Sequence, residues 1–396
     1  MHHRPAPAGR PRFDIAEIVR RHRAALESET CLSPAQRRVL SDIERCRTAA
    51  LGGHLDVCRS CGHEHPAYNS CRNRHCPKCQ ALRQEQWIAE REQRLLPVRH
   101  FHLVFTLPAE LRALARAVPR AVFDALFVAA SATVLDLGVS RLDATLGVTM
   151  VLHTWTRDLR YHPHVHALVT AGGLARDGTR WIRTEHDYLF PVAMMGSVFR
   201  GKMLEALHRL RAQGKLAAFD DFWDPEAFDQ LIARLARTRW VVYAKKPFRR
   251  ADHVLRYLGR YTHRVAISNS RFLAITDNEV TFHTKHGKRA SLPPVEFLRR
   301  FVQHVLPDGF HKIRHFGLYA GPAVAATLPA ARAALTPCST PPTLATRTTT
   351  WRDRLRELTG ADVDRCRVCG GLVDHLPLSR PPLYSAARAP PVRSAA

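Results

Sequence analysis

The stretch "CRSCGHEHPAYNSCRNRHCPKCQ", residues 58 to 80, constrains this chain more than any other. It holds Cys58-x2-Cys61 and Cys76-x2-Cys79, with 14 residues between the two pairs. In a cytosolic chain, close cysteine pairs read as metal ligands rather than as a disulfide framework. Two tight turns can bring four thiolates tetrahedrally onto one Zn²⁺, and Gly62 and Pro77 suit such turns. Four protein ligands leave no open position, so this zinc is expected to be structural. Cys71, His63, His65 and His75 are surplus, and any of them could replace one of the four. A second pair, Cys366-x2-Cys369 followed by His375, is half a site: another metal knuckle, or two free thiols in a tail. Arg59, Arg72, Arg74, Lys78 and Arg83 surround the first block and are expected to touch phosphates.

Charge points the same way. The chain carries 60 Lys+Arg against 35 Asp+Glu, a formal net charge of +25. A balance this one-sided implies a polyanionic partner, nucleic acid first. The opening "MHHRPAPAGR" has no secretory pattern, and no apolar run is expected to reach a membrane span. The expectation is a cytoplasmic protein that does not partner a membrane.

Three regions separate by pattern. Ile15, Ile18, Val19 and Leu26 recur at helical spacing, and Ser33 can cap a helix opened by Pro34. With the cysteine block they define an N-terminal helical and zinc-binding domain over residues 1–95. Residues 100–320 mix strands with helices, an α+β pattern. "HFHLVFTLP", "GVTMVLHTW", "HVHALVTAGG" and "WVVYA" read as strands, and "RFLAITDNEVTFHTK" as a hairpin turning at Asp277-Asn278. Helical patterns cover 110–138, 196–213 and 251–262. From 322 to 396 the chain is rich in Ala, Pro and Thr, and is expected to be largely weakly ordered. No G-x-x-x-x-G-K-[ST] phosphate loop occurs.

"RYHPHVHALVTAGG" crowds three histidines into five residues at the mouth of a strand. Alternation puts His164 and His166 on one side of that strand. They are either polar residues of a half-exposed strand or two imidazoles able to hold a cation. If the preceding strand pairs antiparallel, its terminal His153 reaches the same face. Three imidazoles then leave positions open for a phosphate oxygen and water, as a metal-assisted phosphodiester reaction needs. His162 competes for the third place, although Pro163 disturbs its alignment. His100 and His102 repeat the His-apolar-His spacing and read as a decoy.

"HVLRYLGRYTHR" places Tyr257 and Tyr261 four apart, on one face of a helix, among Arg256, Arg260 and Arg264. Either the rings pack as an aromatic face, or a tyrosinate attacks a phosphodiester and stores the bond energy in a covalent intermediate.

Taken together, the zinc block, "HLVFTLP", "LHTWTRDLRYHPHVHALVTAGG", "YLGRYTHRVAISNSR" and "FLRRFVQHVLPDGFHKIRHFGLYA" carry a likeness over about residues 50 to 320. The chain resembles the HUH (His-hydrophobic-His) endonuclease superfamily, and within it the rolling-circle transposases of the insertion-sequence-ninety-one family. The resemblance implies an antiparallel sheet with flanking helices and a Mg²⁺ or Mn²⁺ ion at His153, His164 and His166. It also implies nicking of single-stranded DNA through a 5′-phosphotyrosine at Tyr257 or Tyr261. The expected partners are single-stranded or hairpin DNA at the element's end, target DNA and a host helicase. A plasmid replication initiator or mobilisation relaxase would use the same chemistry. A non-catalytic zinc DNA-binding regulator would use the charge and the cysteines alone.

Overall fold

Asp14 and Ser33 open the first two helices of the computed structural model, which describes residues 12–92, 94–184, 187–217, 224–248, 259, 265–285, 287–321, 324–335, 350–360 and 362–381. The Asp14 carboxylate accepts from the Ala16 amide and starts α1 (Ile15–Glu29). Ser33 forms a capping box with Gln36 and starts α2 (Pro34–Arg45), with Pro34 in the first turn, where its missing N–H is harmless. The strands β1 (Gly53–Cys58) and β2 (Glu64–Tyr68) and helix α3 (Ala81–Glu92) follow. Next come β3 (His100–Thr106), α4 (Arg112–Ala117), α5 (Pro119–Leu142), β4 (Ala144–Trp155), β5 (Tyr161–Ala175) and β6 (Trp181–Arg183). They lead to α6 (Val192–Ala212), α7 (Pro225–Arg237) and β7 (Val242–Phe248). The last elements are β8 (Phe272–Ile275), β9 (Val280–His283), β10 (Arg289–Leu292), α8 (Pro294–Val302), β11 (Ile313–Gly317), α9 (Val324–Leu335), α10 (Trp351–Thr359) and β12 (Val373–Leu378). Of the helical pattern expected at 251–262, only Gly259 lies within the described residues.

The central sheet has the order β11-β4-β5-β3-β7, with β6 on β5, and its pairs are antiparallel. Alternation divides its residues cleanly. Phe101, Leu103 and Phe105 of β3, Val148, Met150 and Leu152 of β4, and Val165, Ala167 and Val169 of β5 join one core with Phe123 and Phe127 of α5, Phe199 of α6 and Phe228 of α7. Truncating a ring such as Phe199 to Ala would cost about 3–5 kcal/mol. The other face carries His100, His102, Val151, His153, His164 and His166.

Helix α5 corrects one expectation: it is long and apolar enough to cross a membrane. Of its most apolar window 67% is buried, and its side chains pack on the sheet. It is apolar nearly all round because it is a core helix.

A second core crosses the boundary drawn at residue 95. Ile15, Ile18, Leu26, Leu40 and Ile43 of the first two helices pack with Phe272, Phe282, Phe297 and Phe301. The hairpin expected at Asp277-Asn278 is β8–β9, with Ile275 opposite Val280. The stretch after 322, expected to be weakly ordered, holds α9, α10 and β12 among its described residues. Its biased composition conceals local signals: a capping box at Thr350 and Asp353 starts α10. Strand β12 pairs with β1, from Gly53 opposite Leu378 to Cys58 opposite Val373.

Several histidines are built in as neutral groups. His100 contacts the Val98 carbonyl at 2.8 Å and the Tyr319 hydroxyl at 3.2 Å. His304 contacts the Thr154 hydroxyl and the Leu159 carbonyl, both at 3.2 Å, and His315 lies 3.0 Å from the Thr149 hydroxyl. Burial pushes all three imidazoles down to about 4. In the unfolded chain each takes up its proton near pH 6.5, so between about 6.5 and 4 the unfolded state binds more protons. Their contribution to stability is therefore complete above about pH 6.5 and is lost as pH drops towards 4. The thermal midpoint should be lower at pH 5 than at pH 7.5; equal midpoints would mean that these histidines protonate without opening the fold.

Candidate functional site

Strands β4 and β5 pair with His153 directly opposite His164 and Val151 opposite His166. The three imidazoles therefore meet on the sheet face away from the large core, each offering a ring nitrogen within 4.8 Å of the others. His164 Nδ1 donates to the carbonyl of His162 at 2.7 Å, which leaves Nε2 with its lone pair outward. His166 Nδ1 lies 2.8 Å from His102 Nε2. With His102 accepting, His166 also turns a bare Nε2 to the site. The two Nε2 atoms are 3.2 Å apart. Two lone pairs at that distance repel unless a proton or a cation lies between them. Neighbouring positions on an octahedral ion with bonds of about 2.1 Å are about 3.0 Å apart, so the pair fits a small divalent cation. The His153 ring stacks on Trp155 with centroids 4.6 Å apart, which sets its plane.

Burial lowers His164 to about 4 and His166 well below its usual value, the His164 charge adding to the effect on His166. Both are therefore neutral at pH 7, the form that binds metal. The site opens into a cavity of about 680 Å³ lined by Thr106, Trp155, Arg157, His162, Lys245 and Lys285 among others. His162 lines this cavity but stands outside the three-nitrogen cluster; its ring lies 3.2 Å from the Arg112 guanidinium.

His102, read as a decoy, is the residue that spacing undervalued. It is buried, its ring lies parallel to that of His166 at 5.0 Å, and its Nε2 lies 2.8 Å from His166 Nδ1. Alternation along β3 puts it on the face of His100 and Thr106. That β3 lies beside β5 is a non-local pairing, which spacing does not encode. Its twin His100 is a structural group tied to Tyr319.

Tyr257 and Tyr261 lie outside the described residues. Gly259, midway between them, is buried, and a Cβ there would sit 2.4 Å from Ile88 Cδ1 on α3. Ile88 and Trp87 in turn pack on Val151 and Leu168, on the sheet face of the histidines.

The cysteines assort differently from the expected set. Cys46, Cys71, Cys76 and Cys79 form one cluster, and Cys58, Cys61, Cys366 and Cys369 another. Cys58 and Cys61 are thus separated from Cys76 and Cys79. The ribbon of β1 and β2 carries the first pair away, while the end of α2 delivers Cys46, which caps it. Cys71, counted as surplus, is a member; its Sγ lies 3.6 Å from that of Cys79. Thiolates on a tetrahedral zinc with bonds of about 2.3 Å are about 3.8 Å apart, so the spacing suits the metal. His75 is engaged otherwise: its Nε2 accepts from the Leu306 amide at 3.2 Å.

Sequence comparison decides the family. A protein of Sinorhizobium fredii (strain NBRC 101917 / NGR234) named "Putative transposase y4qJ" is 42% identical over 368 residues, covering 90% of this chain and 92% of the relative. The chain belongs to the insertion-sequence-ninety-one family of transposases. Residues 147–326 match the family described as "Putative transposase", and residues 18–107 the one described as "Transposase zinc-binding domain". The "Transposase for insertion sequence element IS801" of Pseudomonas savastanoi pv. phaseolicola is 29% identical over 349 residues, 82% of this chain and 79% of that protein. No solved structure matches the chain significantly.

Against this family assignment the cations of the zinc block can be sorted. Arg59 pairs with Asp374 at 2.6 Å, Arg74 donates to the carbonyls of Phe310 and Pro307 at 2.5 and 2.8 Å, and Lys78 meets Asp14 at 2.7 Å. Arg74 and Lys78 are thus held within the protein, whereas Arg59 stays exposed in its ion pair. Arg72 and Arg83 are exposed. The first cysteine cluster also carries a clear expectation, because Cys46 and Cys76 are fully buried in the second core. Cys46→Ser should lower zinc content and the thermal midpoint as much as Cys76→Ser does. Zinc retained in full by the Cys46 variant would return the cluster to three thiols and an outside ligand.

Proposed function

We propose that this transposase nicks and rejoins single-stranded DNA by metal-assisted tyrosine transesterification, the chemistry of rolling-circle transposition. The convergence of His164 and His166 Nε2 at 3.2 Å beside His153, in a cavity lined by cations, carries the reading. His153, His164 and His166 would hold a Mg²⁺ or Mn²⁺ ion, which when bound supplies polarisation of the scissile phosphate and neutralises its charge.

In this scheme the phenolate of Tyr257 or Tyr261 bonds to phosphorus while the bond to the 3′ oxygen breaks. The 3′ oxygen leaves with a proton, and the 5′ end stays on the tyrosine. One phosphoester replaces another, so the reverse attack by a 3′ hydroxyl rejoins strands without ATP. Arg157, Lys245 and Lys285 attract the backbone. Tyr243, 54% exposed on the edge strand β7, faces the same side as Lys245 and offers a ring on which an unpaired base can stack. The contact of Gly259 with Ile88 of α3 supports this reading. Hairpin or single-stranded DNA at the element's end and target DNA would be the substrates, with a host helicase driving strand displacement in the cytoplasm. The zinc-binding domain match favours a transposase over a plasmid initiator or relaxase, and a non-catalytic regulator would leave the histidine cluster without a use.

The test is adduct formation on a 3′-labelled oligonucleotide from the element's terminus, resolved on a denaturing gel with Mn²⁺ and with EDTA. Tyr257→Phe with Tyr261→Phe should abolish the labelled protein band and leave DNA binding within about twofold. His166→Ala should lower adduct formation by at least about 100-fold. A band that persists in the double Phe variant, or in EDTA, refutes the scheme.

His102 would act only through His166, whose Nδ1 it meets at 2.8 Å. Removing the partner of a metal-binding imidazole typically weakens the metal about 10–100-fold. His102→Leu should raise the Mn²⁺ dissociation constant by that factor in calorimetry, and His102→Gln, which can still accept from His166, should recover part of it. Unchanged Mn²⁺ binding in the Leu variant would reduce His102 to packing.

A further inference from the structure

We infer that Cys58, Cys61, Cys366 and Cys369 bind a second structural zinc that staples the returning C-terminal strand to the N-terminal ribbon. The Sγ atoms of Cys58 and Cys369 are 3.4 Å apart, and those of Cys61 and Cys366 3.8 Å. Nothing in the matched zinc-binding domain covers half of this set, since that match ends at residue 107.

The two halves are built alike. Each reads C-x-x-C-G, and each glycine takes the left-handed backbone that closes a knuckle: Gly62 with φ +68° and Gly370 with φ +75°. Each glycine amide donates at 3.0 Å to the carbonyl of the first cysteine of its own pair, Cys58 or Cys366. Between the knuckles, β12 pairs with β1 in continuous register, and the Arg59 amide donates to the Leu372 carbonyl at 3.0 Å.

The ribbon has almost no core to hold it. Along β1, β2 and β12 only Cys58 is buried, while Leu372 and Leu376 are 48% and 50% exposed. Three strands without an apolar face are marginal in water and need a cross-link. Four thiols at tetrahedral spacing supply one, and soft thiolates select zinc. Binding replaces four thiol protons by one Zn²⁺ and involves no redox change.

The purified full chain should contain two equivalents of zinc. Cys366→Ser with Cys369→Ser should contain one, Cys58→Ser with Cys61→Ser one, and all four together still one. A single ion shared by Cys58, Cys61, Cys76 and Cys79 predicts one equivalent in the unaltered chain and no loss from the Cys366 and Cys369 changes. A second readout needs no variant. N-ethylmaleimide labelling, mapped by peptide mass spectrometry, should spare these four cysteines together and reach them together once a chelator is added. One equivalent in the unaltered chain, or labelling of Cys366 and Cys369 while Cys58 and Cys61 stay protected, overturns the staple.

Discussion

The antiparallel pairing of β4 with β5 governs both the large core and the histidine cluster of this molecule. Because side chains alternate, one register sends Val148, Met150 and Leu152 into the core and leaves Val151 and His153 on the opposite face. The same register sets His164 opposite His153. A slip of one residue would exchange the two faces, burying imidazoles in the phenylalanine core and exposing its aliphatic side chains. Fold and site are thus selected by one alignment. The large core on the far side, with α5 pressed against it, is what holds that alignment.

Burying several imidazoles is a compromise between two demands. A ligand must be neutral, and exclusion from water secures that by penalising the charged form. A buried polar ring must also be hydrogen-bonded, and each bond chooses which nitrogen keeps the proton. His164 meets this locally, through the carbonyl of His162 on its own strand. His166 meets it across strands, through His102. With His102 accepting, both leave a bare Nε2 pointing at the site, although one solution is written two residues apart on one strand and the other depends on the sheet.

Local features were legible in the sequence, and non-local ones were not. Ser33 and Pro34 announce α2, and Asp277-Asn278 announces a turn, because caps and turns are decided within a few residues. The common face of His164 and His166 follows from alternation alone. The partition of the cysteines does not, because two CxxC pairs close in sequence look complete. Cys46 caps α2 outside both pairs, and Cys366 and Cys369 lie some 300 residues from Cys58 and Cys61. His102 was discounted for a similar reason: a His-x-His spacing has no meaning until its neighbouring strand is known. The Ala, Pro and Thr content after 322 masked a strand whose partner, β1, is near the other end of the chain.

Helix α3 begins two residues after Cys79, and the Gln80 side chain ties its start to the Asn73 carbonyl at 2.7 Å. Two turns later Ile88 meets Gly259, the backbone midway between Tyr257 and Tyr261. The distance in sequence from Cys79 to Ile88 therefore acts as a phase angle. A helix turns by about 100° per residue, so one inserted residue would swing Ile88 off that glycine while leaving every cysteine in place. The cysteine cluster then serves as an angular reference for one glycine far along the chain, and what it sets is a rotation fixed by the length of one short helix.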